Sequence, residues 1–176
     1  MRLQGWSDRP LNDTGRHQAT AAIPALQKTP IDLIVSSPLV RARTTAEIIN
    51  DALNKPIHFD ADLRERNFGD LEGMNLDQIR AFRASALRAT PEAVEENGYP
   101  PPSGGEKYVD FKQRTFSRIQ HYLQAHPGKN VLFVAHGGIY RALRLMMVND
   151  QEVSGNAEPW LFEKTASGWA IRKVSI

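Results

Sequence analysis

Val131-Leu132-Phe133-Val134-Ala135-His136-Gly137-Gly138 is the stretch that decides the fold. Its first five residues are a continuous apolar run rich in β-branched and aromatic side chains, the pattern of a strand buried on both faces. His136-Gly137-Gly138 is a tight turn, and an apolar helix from Ile139 to about Val148 follows it. Upstream, Pro127-Gly128 closes a helix expected from Lys107 to about Ala125, with Phe111, Thr115, Phe116, Ile119 and Tyr122 facing inward. A second unit of the same kind lies earlier in the chain. Ile31 to Val35 is a short β-branched run, and Ser36-Ser37-Pro38 turns it into a helix expected to reach Leu53, with Ser37 as its N-cap and Pro38 at its first position. Strands that alternate with helices predict an α/β fold: a three-layer sandwich with a mostly parallel sheet flanked by helices.

The remaining elements are weaker. Asn12 is a candidate N-cap for a first helix that carries Ala19, Ala22, Ile23 and Leu26 on one face, with Pro24 expected to kink or shorten it. Ile57 to Leu63 alternates enough for a third strand, and Asn75 to about Arg88 has helical spacing at Leu76, Ile79, Phe82 and Leu87. Thr90 to Gly105 is rich in Pro, Gly and Glu and reads as a long surface loop. The chain ends in a hairpin, Trp160 to Lys164 and Trp169 to Val174, turning at Ser167-Gly168. The expected organisation is one domain over 1–176 with a helical lid-type insertion at about 70–105.

The composition narrows the function classes. The 176 residues carry 41% hydrophobic and 24% charged side chains, ordinary for a globular protein rather than a disordered one. A net charge of +2 is a weak footprint for a nucleic-acid partner, and none is expected. With no cysteine, disulfides, thiolate nucleophiles and cysteine-based metal sites are all excluded. No apolar run is long enough to span a bilayer, and the start has no secretory h-region, so a cytoplasmic protein without a membrane partner is expected.

In open α/β sheets, ligands bind beyond the carboxyl ends of the strands. Two such ends carry suggestive residues, Ser36-Ser37 with Arg41 and His136 with Gly137-Gly138. Both turns open a helix, so free N–H groups and positive dipole ends converge on one sheet edge, an anion site. Arg41 can hold two phosphate oxygens and His136 can donate to a third. For Ser37-Pro38 and Arg41 the plainer alternative is a cap and a surface charge, and for His136 a buried structural histidine.

Taken together these residues resemble the histidine phosphatase superfamily, also called phosphoglycerate mutase-like. The similarity extends over nearly the whole chain: RLQGWSDRPLNDTGRHQA at 2–19, SSPLVRARTTAEII at 36–49, LRERNFGDLEG at 63–73, PSGGE at 102–106 and VLFVAHGG at 131–138. The resemblance implies phosphomonoester hydrolysis through a phosphohistidine, without metal or other cofactor, on a small phosphorylated metabolite or free phosphate. It implies Arg41 and His136 as phosphate ligands, Gly137 as a backbone N–H donor and Glu65 as the general acid that protonates the leaving alcohol. Arg2, Gln4 and Gly5 match a loop that borders the pocket. Phosphoglycerate mutase-type phosphotransfer is the alternative, and the modest insertion favours the phosphatase. Glu106 is expected to form a capping box with Ser103. His17 is expected on an exposed helix face, and His58, His121 and His126 in solvated or structural roles.

The chain departs from the family in one respect. The family's first strand ends in Arg-His-Gly, which supplies the nucleophilic histidine, and this tripeptide occurs nowhere in the 176 residues. The resemblance places that strand inside the sheet, ahead of residue 2, so the fold is expected with its first strand missing and a slot of unpaired backbone. Three expectations compete: a misassigned start or truncation of an active enzyme, a phosphate-binding or interaction module without turnover, or a slot filled by a strand from elsewhere in the chain or from another copy, giving a homo-oligomer through the exposed sheet.

Overall fold

The computed structural model describes residues 2–89, 102–150 and 152–174. Helix α1 (Asp13–Gln27) is capped as the sequence predicts, the Asn12 side chain accepting from the Gly15 N–H at 2.9 Å. It buries Ala19, Ala22, Ala25 and Leu26 and runs on through Pro24, whose ring faces outward, so the proline does not shorten it. Strand β1 (Leu33–Ser36) is buried along its whole length.

Helix α2 (Val40–Leu53) begins later than expected. Its N-cap is Leu39, which makes no side-chain cap, and the Val40 N–H is taken instead by the Asp8 carboxylate at 2.6 Å. Ser37 is therefore not the cap of α2, although its hydroxyl accepts from the Leu39 N–H at 3.3 Å just ahead of the helix. Strand β2 (Ile57–Phe59) stops short of Leu63. The Asp60 carboxylate accepts from the Asp62 N–H at 2.9 Å, which curls the chain into a 3₁₀ turn over Ala61–Leu63.

A second 3₁₀ turn, Gly69–Leu71, leads to helix α3 (Leu76–Ala89). Leu76 and Leu87 on it are exposed, so its apolar face is not packed into the core. The expected loop at 90–105 lies largely outside the described residues, which include 70–89 and 102–105 of the expected lid-type insertion. Helix α4 (Tyr108–Ala125), strand β3 (Val131–Val134) and helix α5 (Gly137–Val148) follow as the sequence predicts. Strands β4 (Trp160–Thr165) and β5 (Gly168–Lys173) form the terminal hairpin, with Ala166-Ser167 at its tip instead of Ser167-Gly168.

The parallel sheet has the order β2-β1-β3, with Ile34 opposite both Ile57 and Leu132. Period-2 alternation divides the core. Ile34 and Val134 pack against Ala22, Leu26, Ala46 and Ile49 of α1 and α2. Leu33 and Val35 pack against Phe111, Ile119, Ile139 and Ala142 of α4 and α5. The result is the three-layer α/β arrangement, and each fully buried Ile or Phe adds about 1.5–3 kcal/mol. Strands β4 and β5 form a separate antiparallel sheet.

Among the described residues, β3 pairs only with β1. Ser37 N–H donates to the Val134 carbonyl, so Val131 and Phe133, one residue out of phase, direct their backbone groups away from β1. A cavity of about 550 Å³ opens between Asn130 at the start of β3, the end of α1 and Leu161–Lys164 of β4.

Candidate active site

The carboxyl ends of β1 and β3 bring Ser37 and His136 together. His136 Nε2 lies 2.8 Å from Ser37 Oγ, a contact between residues 99 apart in sequence. His136 is the N-cap of α5 but makes no side-chain cap of its own. That position is filled by Glu65, whose Oε2 accepts from the Gly138 N–H at 3.0 Å while Oε1 accepts from the Arg66 N–H at 2.9 Å. A Cβ on residue 138 would overlap the Glu65 carboxylate, so glycine is what lets the acid reach the helix end.

Arg41 reaches the same place from the first turn of α2. Its guanidinium donates to the carbonyls of Gly5 at 2.7 Å and Ser7 at 3.0 Å, and its other N–H groups meet no acceptor among the described residues. The loop that supplies these carbonyls is organised by Glu72, which accepts from the Trp6 N–H at 2.7 Å, the Ser7 N–H at 2.8 Å and the Ser7 hydroxyl at 2.5 Å. Gly5 adopts φ +53°, and a side chain there would strike the Glu72 carboxylate.

The electrostatics follow from this packing. Burial, reinforced by the positive charges of Arg41 and Arg114, pushes His136 down to about 3, so its imidazole is neutral at physiological pH. Burial also lowers Arg41, while Glu65, Asp8 and Glu72 act in the opposite direction. The arrangement offers a fixed cation, a neutral imidazole and a carboxylate at the open end of a helix, the groups that hold a small oxyanion and move a proton beside it.

The other sequence candidates fall in graded positions. Gly137 opens α5 next to His136, and Gly5 is in direct contact with Arg41. The Gln4 carbonyl accepts from the Ser7 N–H, which places Gln4 at the base of the same loop. Arg2 is exposed and engages the Gly73 carbonyl at 2.7 Å, so its recorded contact is with the 73–75 segment and not with Arg41 or His136. Glu106 does not form the expected capping box, because α4 starts at Tyr108 and its cap, Lys107, has no side-chain bond. The Glu106 carboxylate turns to Arg114 instead. His58, His121 and His126 surround the buried ring of Tyr122 at 6.4, 5.8 and 6.4 Å. Sequence reasoning missed Ser37 as the partner of His136, Glu72 as the organiser of the loop, and Arg114. The only signal for them was the run of charges in 62–72 opposite an Arg on the predicted α4.

The same arrangement of strands and helices recurs in solved structures. A mycobacterial glucosyl-3-phosphoglycerate phosphatase aligns with 98% of this chain and 89% of its own at TM-score 0.78 and 29% identity. YhfR of Bacillus stearothermophilus aligns with 98% and 87% at TM-score 0.82 and 27% identity. By sequence, the chain is 38% identical over 143 residues to the uncharacterised phosphatase PhoE of Bacillus subtilis, which spans 81% of this chain and 67% of that protein. It is 36% identical over 149 residues to the glucosyl-3-phosphoglycerate phosphatase of Mycolicibacterium vanbaalenii, covering 81% of this chain and 64% of that one. The chain thus spans about two thirds of the length of these relatives. The sequence profile of the histidine phosphatase superfamily (branch 1) matches residues 1–158. With that match over most of its length, the chain belongs to the histidine phosphatase superfamily.

Proposed function

We propose that this chain carries the phosphate-binding and acid groups of a metal-independent phosphomonoesterase that works through a phosphohistidine. The observation that carries the reading is the meeting of Arg41, the neutral His136 and Glu65 at the N-terminus of α5. In this reading Arg41 holds two phosphoryl oxygens, His136 and the Gly137 N–H hold the third, and the fixed charges stabilise the transferring group. A histidine nitrogen attacks phosphorus, the ester P–O bond breaks, and Glu65 gives its proton to the leaving alkoxide. Water then attacks phosphorus, the P–N bond breaks, and Glu65 recovers a proton from that water. Gln4 and Gly5 shape the inner wall of the pocket and Arg2 its outer rim. A small phosphorylated metabolite is the substrate class, and hydrolysis fits the modest insertion better than mutase chemistry.

The nucleophile belongs, by the family pattern, on an Arg-His-Gly strand, a tripeptide absent from these 176 residues. The edge of β3, unpaired among the described residues, supports the reading that such a strand lies along it, taking the outward backbone groups of Val131 and Phe133. The test is to supply that strand, by fusion ahead of residue 2 or as a peptide, and to assay p-nitrophenyl phosphate. Turnover with an acid-labile phosphohistidine is expected, and folded protein with the strand docked but neither signal would overturn the enzyme reading.

The Arg41 and His136 groups also support a second reading, a phosphate-binding module without turnover. Millimolar phosphate then raises the melting temperature of the chain by itself, and Arg41→Ala removes the shift. An unchanged melt counts against phosphate binding altogether.

A further inference from the structure

Resting on the phosphoryl-transfer reading above, we propose that Arg114, locked against Glu106, is a positioning residue that holds the Glu65 carboxylate at the N-terminus of α5. Neither Arg114 nor Glu106 touches the groups assigned to phosphate, yet both are largely buried, with side chains 18% and 15% exposed.

The argument rests on how the guanidinium is used. Nε and one terminal nitrogen each donate to Glu106 at 2.8 Å, a two-pronged ion pair. The other terminal nitrogen donates to the carbonyls of Asp62 at 2.6 Å and Arg64 at 3.2 Å, while the nitrogen shared with Glu106 also reaches the Glu65 carbonyl at 3.5 Å. All five N–H groups are thereby engaged, three of them on the backbone of one short loop. A lysine, with its donors on a single atom, cannot reproduce that fork.

Glu106 is anchored in turn. Its N–H donates to the Asn67 carbonyl at 2.9 Å, its carbonyl accepts from Arg66 Nε at 2.8 Å, and its carboxylate accepts from the Asn67 N–H at 3.4 Å. The 62–67 backbone is therefore gripped on both sides of Glu65, and Trp6 Nε1 adds a bond to the Glu65 carbonyl at 2.7 Å. With the backbone so fixed, the carboxylate has one short route to the Gly138 N–H. After burial and Arg41, Arg114 adds a smaller positive contribution that lowers His136, which places it within electrostatic reach of the site.

The test separates charge from geometry. Amide exchange at Gly138, compared with Tyr140 in the same helix, reports the Glu65 bond; NMR titration of the His136 ring reports the charge; a thermal melt reports the fold. Arg114→Lys keeps the charge and loses the fork, so Gly138 exchange accelerates at least about tenfold relative to Tyr140 while the His136 titration stays in place. Arg114→Gln gives the same acceleration and moves His136 upward. A merely structural role would speed both amides alike, and an unchanged ratio in Arg114→Lys overturns the proposal. Glu106→Gln, which leaves Arg114 intact, carries the same criterion if the Arg114 variants do not fold. Absence of turnover and of a phosphohistidine with the Arg-His-Gly strand docked would sink the phosphoryl-transfer reading alone, because the Gly138 ratio is measured without strand or ligand.

Discussion

One methyl group separates two states of the acid. The Cβ of an alanine at 138 would occupy the space of the Glu65 carboxylate, which is the far end of a movable side chain. Gly138→Ala therefore expels Glu65 instead of unfolding α5. Stability is expected to stay within about 1 kcal/mol, helix propensity offsetting the lost cap, while Glu65 no longer appears at the helix end in a crystal structure of the variant. His136 makes a second residue-scale prediction. Its folded value of about 3 lies below the ordinary histidine value of 6.5, so between those limits the unfolded chain binds a proton that the native chain refuses. Stability attributable to this residue is complete above the ordinary value and falls as pH drops through the window, by up to about 1.4 kcal/mol per pH unit. Urea unfolding at a series of pH values, compared with His136→Gln, should show that slope in the parent and its loss in the variant. The place of His136 at the carboxyl end of β3, opening α5, was legible in sequence because a glycine pair directly after an apolar run marks a strand-to-helix turn. Ser37 as its partner was not, since the residues sit 99 positions apart and only the β1–β3 register joins them.

At the scale of elements, the strands and helices with a buried face were readable, and the errors cluster where a side chain from elsewhere takes over a local role. Strand β3 and helices α4 and α5 carry apolar periodicity that no distant residue overrides. The start of α2 looked like a Ser-Pro cap because nothing in 36–40 reveals that Asp8 supplies the carboxylate. Glu106 looked like a cap because Arg114 is eight residues further on, beyond the reach of a local motif. Asp8→Ala is expected to cost about 1 kcal/mol in urea unfolding by orphaning the Val40 N–H, and Asp8→Asn to restore most of it. Failure of Asp8→Ala to destabilise would return the cap to Ser37. Helix α3 was readable as a helix but not as one whose Leu76 and Leu87 stay exposed, because periodicity reports a face and not what meets it.

At the scale of the whole molecule, the edge of β3 that is unpaired among the described residues leads to a direct expectation. The amides of Val131 and Phe133 should exchange with solvent far faster than those of Leu132 and Val134, which face β1. Adding an Arg-His-Gly strand should protect the first pair selectively, and equal protection of all four amides in the chain alone would mean that the edge is already covered. The order of the sheet also bears on how the protein reaches its native state. Neighbouring strands β1 and β3 are separated along the chain by α2, β2, α3 and α4. Joining Ser37 to His136 closes a loop spanning 99 positions, at an entropic cost of about 4 kcal/mol beyond a length-independent constant. The meeting of Ser37 and His136 is thus among the last features to exist during folding. Local helices can form early, but recovery of the native His136 ring signal after dilution from denaturant should lag behind recovery of helical circular dichroism, which makes that ring a clock for the slowest step of folding.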